Sequence, residues 1–230
     1  MVHVMITTAT ILGRADPRMG ERILLLAPPG DIEAIAVDLR HRVGDRGHIR
    51  AIIAGEPYMQ ARLAPEVEVI DDRVDAPSSL ARSIGAFDLV LAWGSVPWLP
   101  RENEIFGRIL AALRPGGRFV FDLPSRDYSE ALETCEGVLY DWFLPDSADF
   151  ENALLGAGFR EVEIESIRHD FQFDTLAELI DARTRPFPLE YENAIGVERQ
   201  TALRNAFAHM FDRDHDLELT LNHIAGHAIR

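Results

Sequence analysis

The 230-residue sequence contains one cysteine, Cys135, and no lysine. A single thiol excludes an internal disulfide and any cysteine-rich zinc or iron–sulfur site. No base is advertised beside Cys135, so it reads as a buried, inert thiol. All 23 basic residues are arginine, which removes Schiff-base chemistry, a phosphate-loop lysine and a lysine general base together. Arginine-biased coding accounts for the absence without a functional reason. Positive charge is scarce as well: 38 acidic residues oppose those 23, for a net charge of -15. With no arginine cluster to offset that field, nucleic acid is not expected as a partner. No apolar run reaches the roughly 18–20 residues that cross a bilayer. Met1–Gly13 has neither a basic leader nor a signal-peptide apolar core. The expectation is a cytoplasmic protein with no membrane contact.

What the sequence does contain is an ordinary globular composition, 47% hydrophobic and 27% charged, enough for one large domain. Residues 1–20 show no clear period and end in the turn-rich Gly13-Arg14-Ala15-Asp16-Pro17, so they read as an extension ahead of a domain over 21–230. Ile23–Ala27 is a continuous apolar run closed by Pro28-Pro29-Gly30, the pattern of a strand buried on both faces. Asp31 opens a helix with an apolar stripe of Ile32, Ile35, Ala36 and Leu39. Further buried strands are expected at Ile49–Ala54, Val67–Ile70, Phe87–Ala92 and Arg118–Leu123. Helices are expected near Tyr58–Leu63, Ser78–Ile84 and Glu102–Leu113, the last stopped by Arg114-Pro115-Gly116-Gly117.

Such alternation specifies a doubly wound, Rossmann-like α/β fold with a mostly parallel sheet and right-handed crossovers. Ligands of such sheets sit beyond the carboxyl ends of the strands, where strand order reverses. That places a site near Ala27–Asp31, Ala54–Glu56, Asp71–Arg73 and Trp93–Ser95. The second half differs. Ser147–Gly156 reads as a helix, Glu161–Ile167 as an alternating strand and Leu217–Leu221 as a last strand. Between the two strands, Asp174 caps a helix to Arg183, Arg185-Pro186-Phe187-Pro188 breaks it, and Val197–Phe211 forms another. A seven-stranded sheet follows, with an antiparallel edge strand and a small helical lid over about 174–212.

The order of these pieces resembles the class I S-adenosylmethionine-dependent methyltransferases over residues 21–230. Phe87-Asp88-Leu89-Val90-Leu91-Ala92-Trp93, Val96-Pro97-Trp98-Leu99-Pro100, Leu113-Arg114-Pro115-Gly116-Gly117-Arg118-Phe119-Val120 and Ala157-Gly158-Phe159 carry the likeness. It is nearest the small-molecule branch that includes trans-aconitate and malonyl-carrier-protein methyltransferases. The resemblance implies S-adenosylmethionine as cofactor, held by Ala27, Pro29, Gly30, Asp31, Glu56, Asp72 and Trp93. The family's first strand ends in an acid and a glycine-rich turn. Here the acid position is Leu25, and the glycine positions are Ala27, Pro29 and Asp31. Two prolines remove two N–H donors from that turn. Asp31 is left as a substitute acid for the cofactor's amino group. Glu56 and Ile53 compete for the ribose-binding slot, and only Glu56 has the chemistry for it. Asp72 is the match for the adenine edge.

The same resemblance places Trp98, Tyr128, Trp142 and Tyr191 in a substrate cavity with Trp93, Phe143 and Phe187, although aromatic residues serve core packing as readily. Arg185, or Arg126, is suited to a substrate carboxylate. His209, His215, His223 and His227 crowd the end of the chain. Without thiol partners or a fixed spacing to a carboxylate they do not make a metal site, and no metal is expected. His209 and His223 are both candidates for a general base, and the catalytic residue stays unassigned. Two functions remain open. One is methyl transfer to a small molecule, with a carboxylic acid among the candidates. The other is a methyltransferase-like fold that has lost the cofactor and serves as a binding or regulatory subunit, or does other chemistry. A protein partner or a homodimer fits either.

Overall fold

Four consecutive apolar residues, Ile23 to Leu26, all buried, make the run after residue 21 the centre of a sheet. The computed structural model describes residues 8–27, 32–53, 67–70, 83–93, 104–125, 146–172, 175, 205 and 218–230. In chain order its elements are α1 (Thr8–Ala15), β1 (Arg22–Ala27), α2 (Ile32–Val43), β2 (His48–Ile53), β3 (Val67–Ile70) and β4 (Phe87–Trp93). After them come α3 (Glu104–Ala112), β5 (Leu113–Pro124), α4 (Ser147–Ala157), β6 (Arg160–Gln172) and β7 (Glu218–Ile229).

The strands form one seven-stranded sheet in the order β3-β2-β1-β4-β5-β7-β6. β1 to β5 pair in parallel, and β7 is antiparallel to both of its neighbours. The strand that runs against the others is therefore β7, one place in from the edge, and the edge itself is β6. Side chains alternate between two faces. Leu24, Leu26, Val90, Ala92, Phe119 and Phe121 pack on one face against Phe106 and Ile109 of α3 and Phe150 and Leu154 of α4. Ile23, Leu25, Leu89, Leu91 and Val120 face the other way, against Ile11 and Leu12 of α1 and Ile35 and Leu39 of α2.

Several expectations need correction. Residues 1–20 were expected to lack regular structure, yet α1 places Ile11, Leu12 and Ala15 in the core. A single two-turn helix is too short to display a periodicity against a polar background. The helix expected to run to Leu113 ends at Ala112, and Leu113-Arg114-Pro115-Gly116-Gly117 belongs to β5. The sheet absorbs this irregular stretch with a register shift opposite Phe87 and Leu89 and a positive φ of 75° at Gly116. Ile84 lies in an exposed turn, outside any helix. β7 continues past the expected Leu221 to Ile229, so His223 and His227 lie on a strand.

β5 pairs with β7 from Arg118↔Ile229 to Pro124↔His223. β6 stays paired with β7 as far as Gln172↔Glu218. The last part of the hairpin thus extends as a two-stranded ribbon beyond the end of β5. Its close packing depends on Gly226, where an added Cβ would lie 2.0 Å from the Glu163 carbonyl oxygen and 2.9 Å from Phe121 Cζ. α4 is bounded by sequence signals that work locally. The Asp146 side chain accepts from Asp149 N at 2.7 Å, and Gly158 closes the helix at φ 103°.

Candidate active site

Strand order reverses between β1 and β4: β2 and β3 follow on one side, β5 on the other. The carboxyl edge at this switch point is where a doubly wound sheet leaves a crevice. Register fixes what lies level there. Ala27, the last residue of β1, is the partner of Ile53, the last of β2. Leu26 is level with Ala92, and Trp93, the last of β4, is the partner of Asp122 on β5. The carboxyl edge is thus defined by Ala27, Ile53, Trp93 and Asp122.

Three polar residues are buried among the described residues: Glu21, Asp122 and Ser125. Two of them are at this edge. Ser125 follows β5 and is tied to Asn222 of β7 by its backbone N–H at 3.1 Å and its hydroxyl at 3.0 Å, both donated to the Asn222 carbonyl. Asp122 Oδ1 lies 3.0 Å from His223 Nδ1. The carboxylate is almost sealed, at 2% side-chain exposure, while the imidazole keeps 12%. Asp122 shares the face of β5 that carries Val120, the face covered by α1 and α2. His223 pairs with Pro124, two residues further along than Asp122. The ring is therefore carried to the level just beyond the ends of β1 and β4.

The third buried polar residue, Glu21, stands at the opposite, amino end of β1. Burial pushes its carboxyl up, but hydrogen bonds from Arg118 and from the Arg18 backbone N–H, with the charges of both arginines, outweigh burial and hold it below its ordinary value. This pair belongs to the scaffold.

Ala27 and Trp93 stand where the sequence places them, at the carboxyl ends of β1 and β4. Pro29, Gly30, Asp31, Glu56, Asp72, Trp98, Tyr128, Trp142, Arg185 and Tyr191 lie outside the described residues, as do Arg126, Phe143, Phe187, His209, His215 and Cys135. Ile53 ends β2. Leu25, in the family's acid position, is fully buried in the apolar cluster with Ile23 and Leu91, so no carboxylate comes from that point. His227 lies near Glu163, Nδ1 to Oε2 3.8 Å, toward the edge strand. Sequence reasoning missed Asp122. Its signal was an acid inside the apolar run Phe119-Val120-Phe121-Asp122-Leu123, where an unpaired carboxylate would be costly. Among the described residues no three His, Cys, Asp or Glu side chains converge as a metal site, and no helix is long and apolar enough to cross a membrane.

No family model matches the sequence, and no curated protein matches it. Solved structures do match in fold. YcgJ from Bacillus subtilis superposes with a TM-score of 0.66 at 10% identity, over 97% of this chain and 97% of its own. Phosphoethanolamine N-methyltransferase 2 of Haemonchus contortus, bound to phosphomonomethylethanolamine and S-adenosylhomocysteine, gives 0.55 at 16% identity over 97% of this chain. This chain spans 52% of the length of that enzyme. The cyclase SpnF gives 0.60 at 15% identity, over 97% of this chain and 79% of its own. The architecture is the Rossmann-like methyltransferase fold.

Proposed function

We propose that the chain is an S-adenosylmethionine-dependent methyltransferase acting on a small molecule, and that α1 packs onto a domain over residues 21–230 with a lid over about 174–212. The observation that carries this reading is the strand order, with β7 reversed between β5 and β6 and the switch point between β1 and β4. A neighbour of the same fold binds S-adenosylhomocysteine. Such a group would be held by strand-end backbone and by acids that follow the strands in chain order. The ends of β1 and β4 flank the crevice with backbone, and the acids suited to its polar groups, Asp31, Glu56 and Asp72, fall in sequence just after β1, β2 and β3. Ala27, Pro29, Gly30 and Trp93 complete the cradle in this reading. When bound, the cofactor supplies an electrophilic methyl group. The chain's own part is to hold the acceptor in line and exclude water, with Trp98, Tyr128, Trp142 and Tyr191 as the cavity and Arg185 as the clamp for an acid group on the acceptor. The site works in the cytoplasm and takes neither nucleic acid nor membrane as partner.

Calorimetric titration with S-adenosylhomocysteine, beside a thermal-shift scan, tests this. A dissociation constant of about micromolar order is expected. No heat and no shift at millimolar ligand overturns it. A second reading, non-methyl chemistry or a binding role on the same fold, has Leu25 in its favour, because an apolar core residue stands where the family has its acid. The cyclase among the structural neighbours is the corresponding precedent.

A further inference from the structure

We infer that the outward face of α2 is a contact between two copies of this chain, set antiparallel about a two-fold axis close to His41. The inner face of α2 is spent on the core: Ile35, Ala36, Leu39 and Val43 are buried. The opposite stripe runs through Val37, His41 and Gly44, spaced i, i+4 and i+7 and so aligned on one side of the helix. Among the described residues four large apolar side chains are exposed, and two of them belong to this stripe. Val37 is 42% exposed and Met19 72%. Met19 comes from the turn ahead of β1, and its sulfur occupies the space that a Cβ on Gly44 would fill. Gly44 closes the helix at φ 64°, and the neighbouring turn supplies the side chain that its position lacks. The stripe thus carries an apolar group at each end and an imidazole in the middle.

Such a stripe matches itself when turned round. In an antiparallel pair of helices meeting at His41, Val37 of one copy falls against Met19 of the other, and symmetry repeats the contact. Charge obeys the same rule. Asp38 and Arg42 are exposed on one flank of the stripe, one turn apart. That is the spacing and order in which an acid and a base pair along a helix, yet among the described residues neither makes an ion pair. A two-fold axis lying between the helices and across them keeps this flank on one side, so Asp38 of each copy meets Arg42 of the other. On the opposite flank, Arg40 is drawn away by its hydrogen bond to the Gly47 carbonyl at 3.0 Å, and like charges do not meet there.

The whole chain supplies the reason for this face rather than another. Each copy has a net charge of -15, so two copies repel, and they meet most easily where each sets a base opposite the other's acid. α2 starts at Ile32, after β1, and ends at Val43, ahead of β2. Contact through its last two turns therefore lies toward the amino end of the sheet and leaves the carboxyl edge clear in both copies. Two turns of helix, about 11 Å long, cover less than the roughly 800 Å² per partner of a standard interface. The dimer is accordingly weak and concentration-dependent.

Sedimentation velocity on the full chain, from about 5 to 500 μM, tests this. A monomer at the low end and a growing dimer toward the high end are expected, with a dissociation constant of about 100 μM. Asp38→Arg and Arg42→Asp each set like charges against one another and raise that constant about 10-fold or more. An equimolar mixture of the two variants restores both ion pairs across the axis and associates about as tightly as the unaltered chain. Met19→Gln changes no charge and weakens the dimer about 5-fold or more; it carries the test if melting curves show that a charge reversal does not fold. A monomer at every concentration, a dimer indifferent to the single changes, or a mixture no tighter than either variant alone overturns the inference.

Discussion

Arg118, near the start of the sheet-paired part of β5, reaches across to Glu21 with two hydrogen bonds, Nη1 to Oε1 at 2.7 Å and Nη2 to Oε2 at 2.9 Å. The same guanidinium donates from Nε to the Ala15 carbonyl at 3.0 Å and from Nη2 to the Asp16 carbonyl at 2.8 Å. One planar fork thus satisfies the end of α1 and the acid ahead of β1 together.

Glu21 makes the protein acid-sensitive. Its folded value lies below the ordinary 4.5, so the unfolded chain binds its proton first as pH falls. Stability from the pair is complete above 4.5 and drains away as pH drops through the folded value. Glu21→Gln should flatten this part of the stability–pH curve, read as urea midpoints between about pH 6 and 3.

Arg118→Ala leaves that carboxylate buried without its partner, since the two side chains are only 17% and 9% exposed. The expected loss is about 3 kcal/mol at neutral pH. Glu21→Gln combined with Arg118→Ala should lose less than the two single changes summed, which a double-mutant cycle reads directly.

Gly226→Ala should be among the most damaging small substitutions in the chain. Its Cβ would fall 2.0 Å from the Glu163 carbonyl oxygen, a backbone atom that cannot swing away, and 2.9 Å from Phe121 Cζ. A loss of about 3 kcal/mol or more is expected from the urea midpoint. Gly107, inside α3, has nothing within 4 Å of an added Cβ, and Gly107→Ala should instead gain about 0.5–1 kcal/mol.

Phe150 anchors α4 between two rings, edge-on to Phe106 at 5.3 Å and to Phe121 at 4.8 Å. Phe150→Ala should cost about 3–5 kcal/mol in denaturant melts, and Phe150→Leu much less, because the cavity is largely refilled.

Strands β1 to β4 were legible in the sequence to within a residue at each end, because a strand buried on both faces needs an unbroken apolar run. Ile23–Ala27 and Leu89–Ala92 supply one. The helix expected over Ser147–Gly156 was legible for a similar reason, since Asp146 and Gly158 each act on their own turn. What was not legible depends on distant partners. β7 holds its strand past Leu221 because β5 and β6 flank it, a support that Asn222, His223 and Gly226 do not announce. α1 is a helix because Ile11 and Leu12 find Leu25 and Val120. At the site, the carboxyl ends of β1 and β4 were readable from alternation alone. Asp122 and His223 meet only across an antiparallel pairing separated by most of the chain's second half, and no local pattern encodes that meeting.

The pairing of Gln172 with Glu218 has a consequence for how such a protein can diversify. Everything between these two residues leaves and re-enters the sheet at one doorway, where the hairpin has already brought the chain ends together. The segment is therefore a cassette: its length and contents can be exchanged without altering the register of a single strand, and the Asp122–His223 pair stays where β5 and β7 put it. A chain of this design can change that segment while keeping the order of its sheet and the edge formed by β1 and β4.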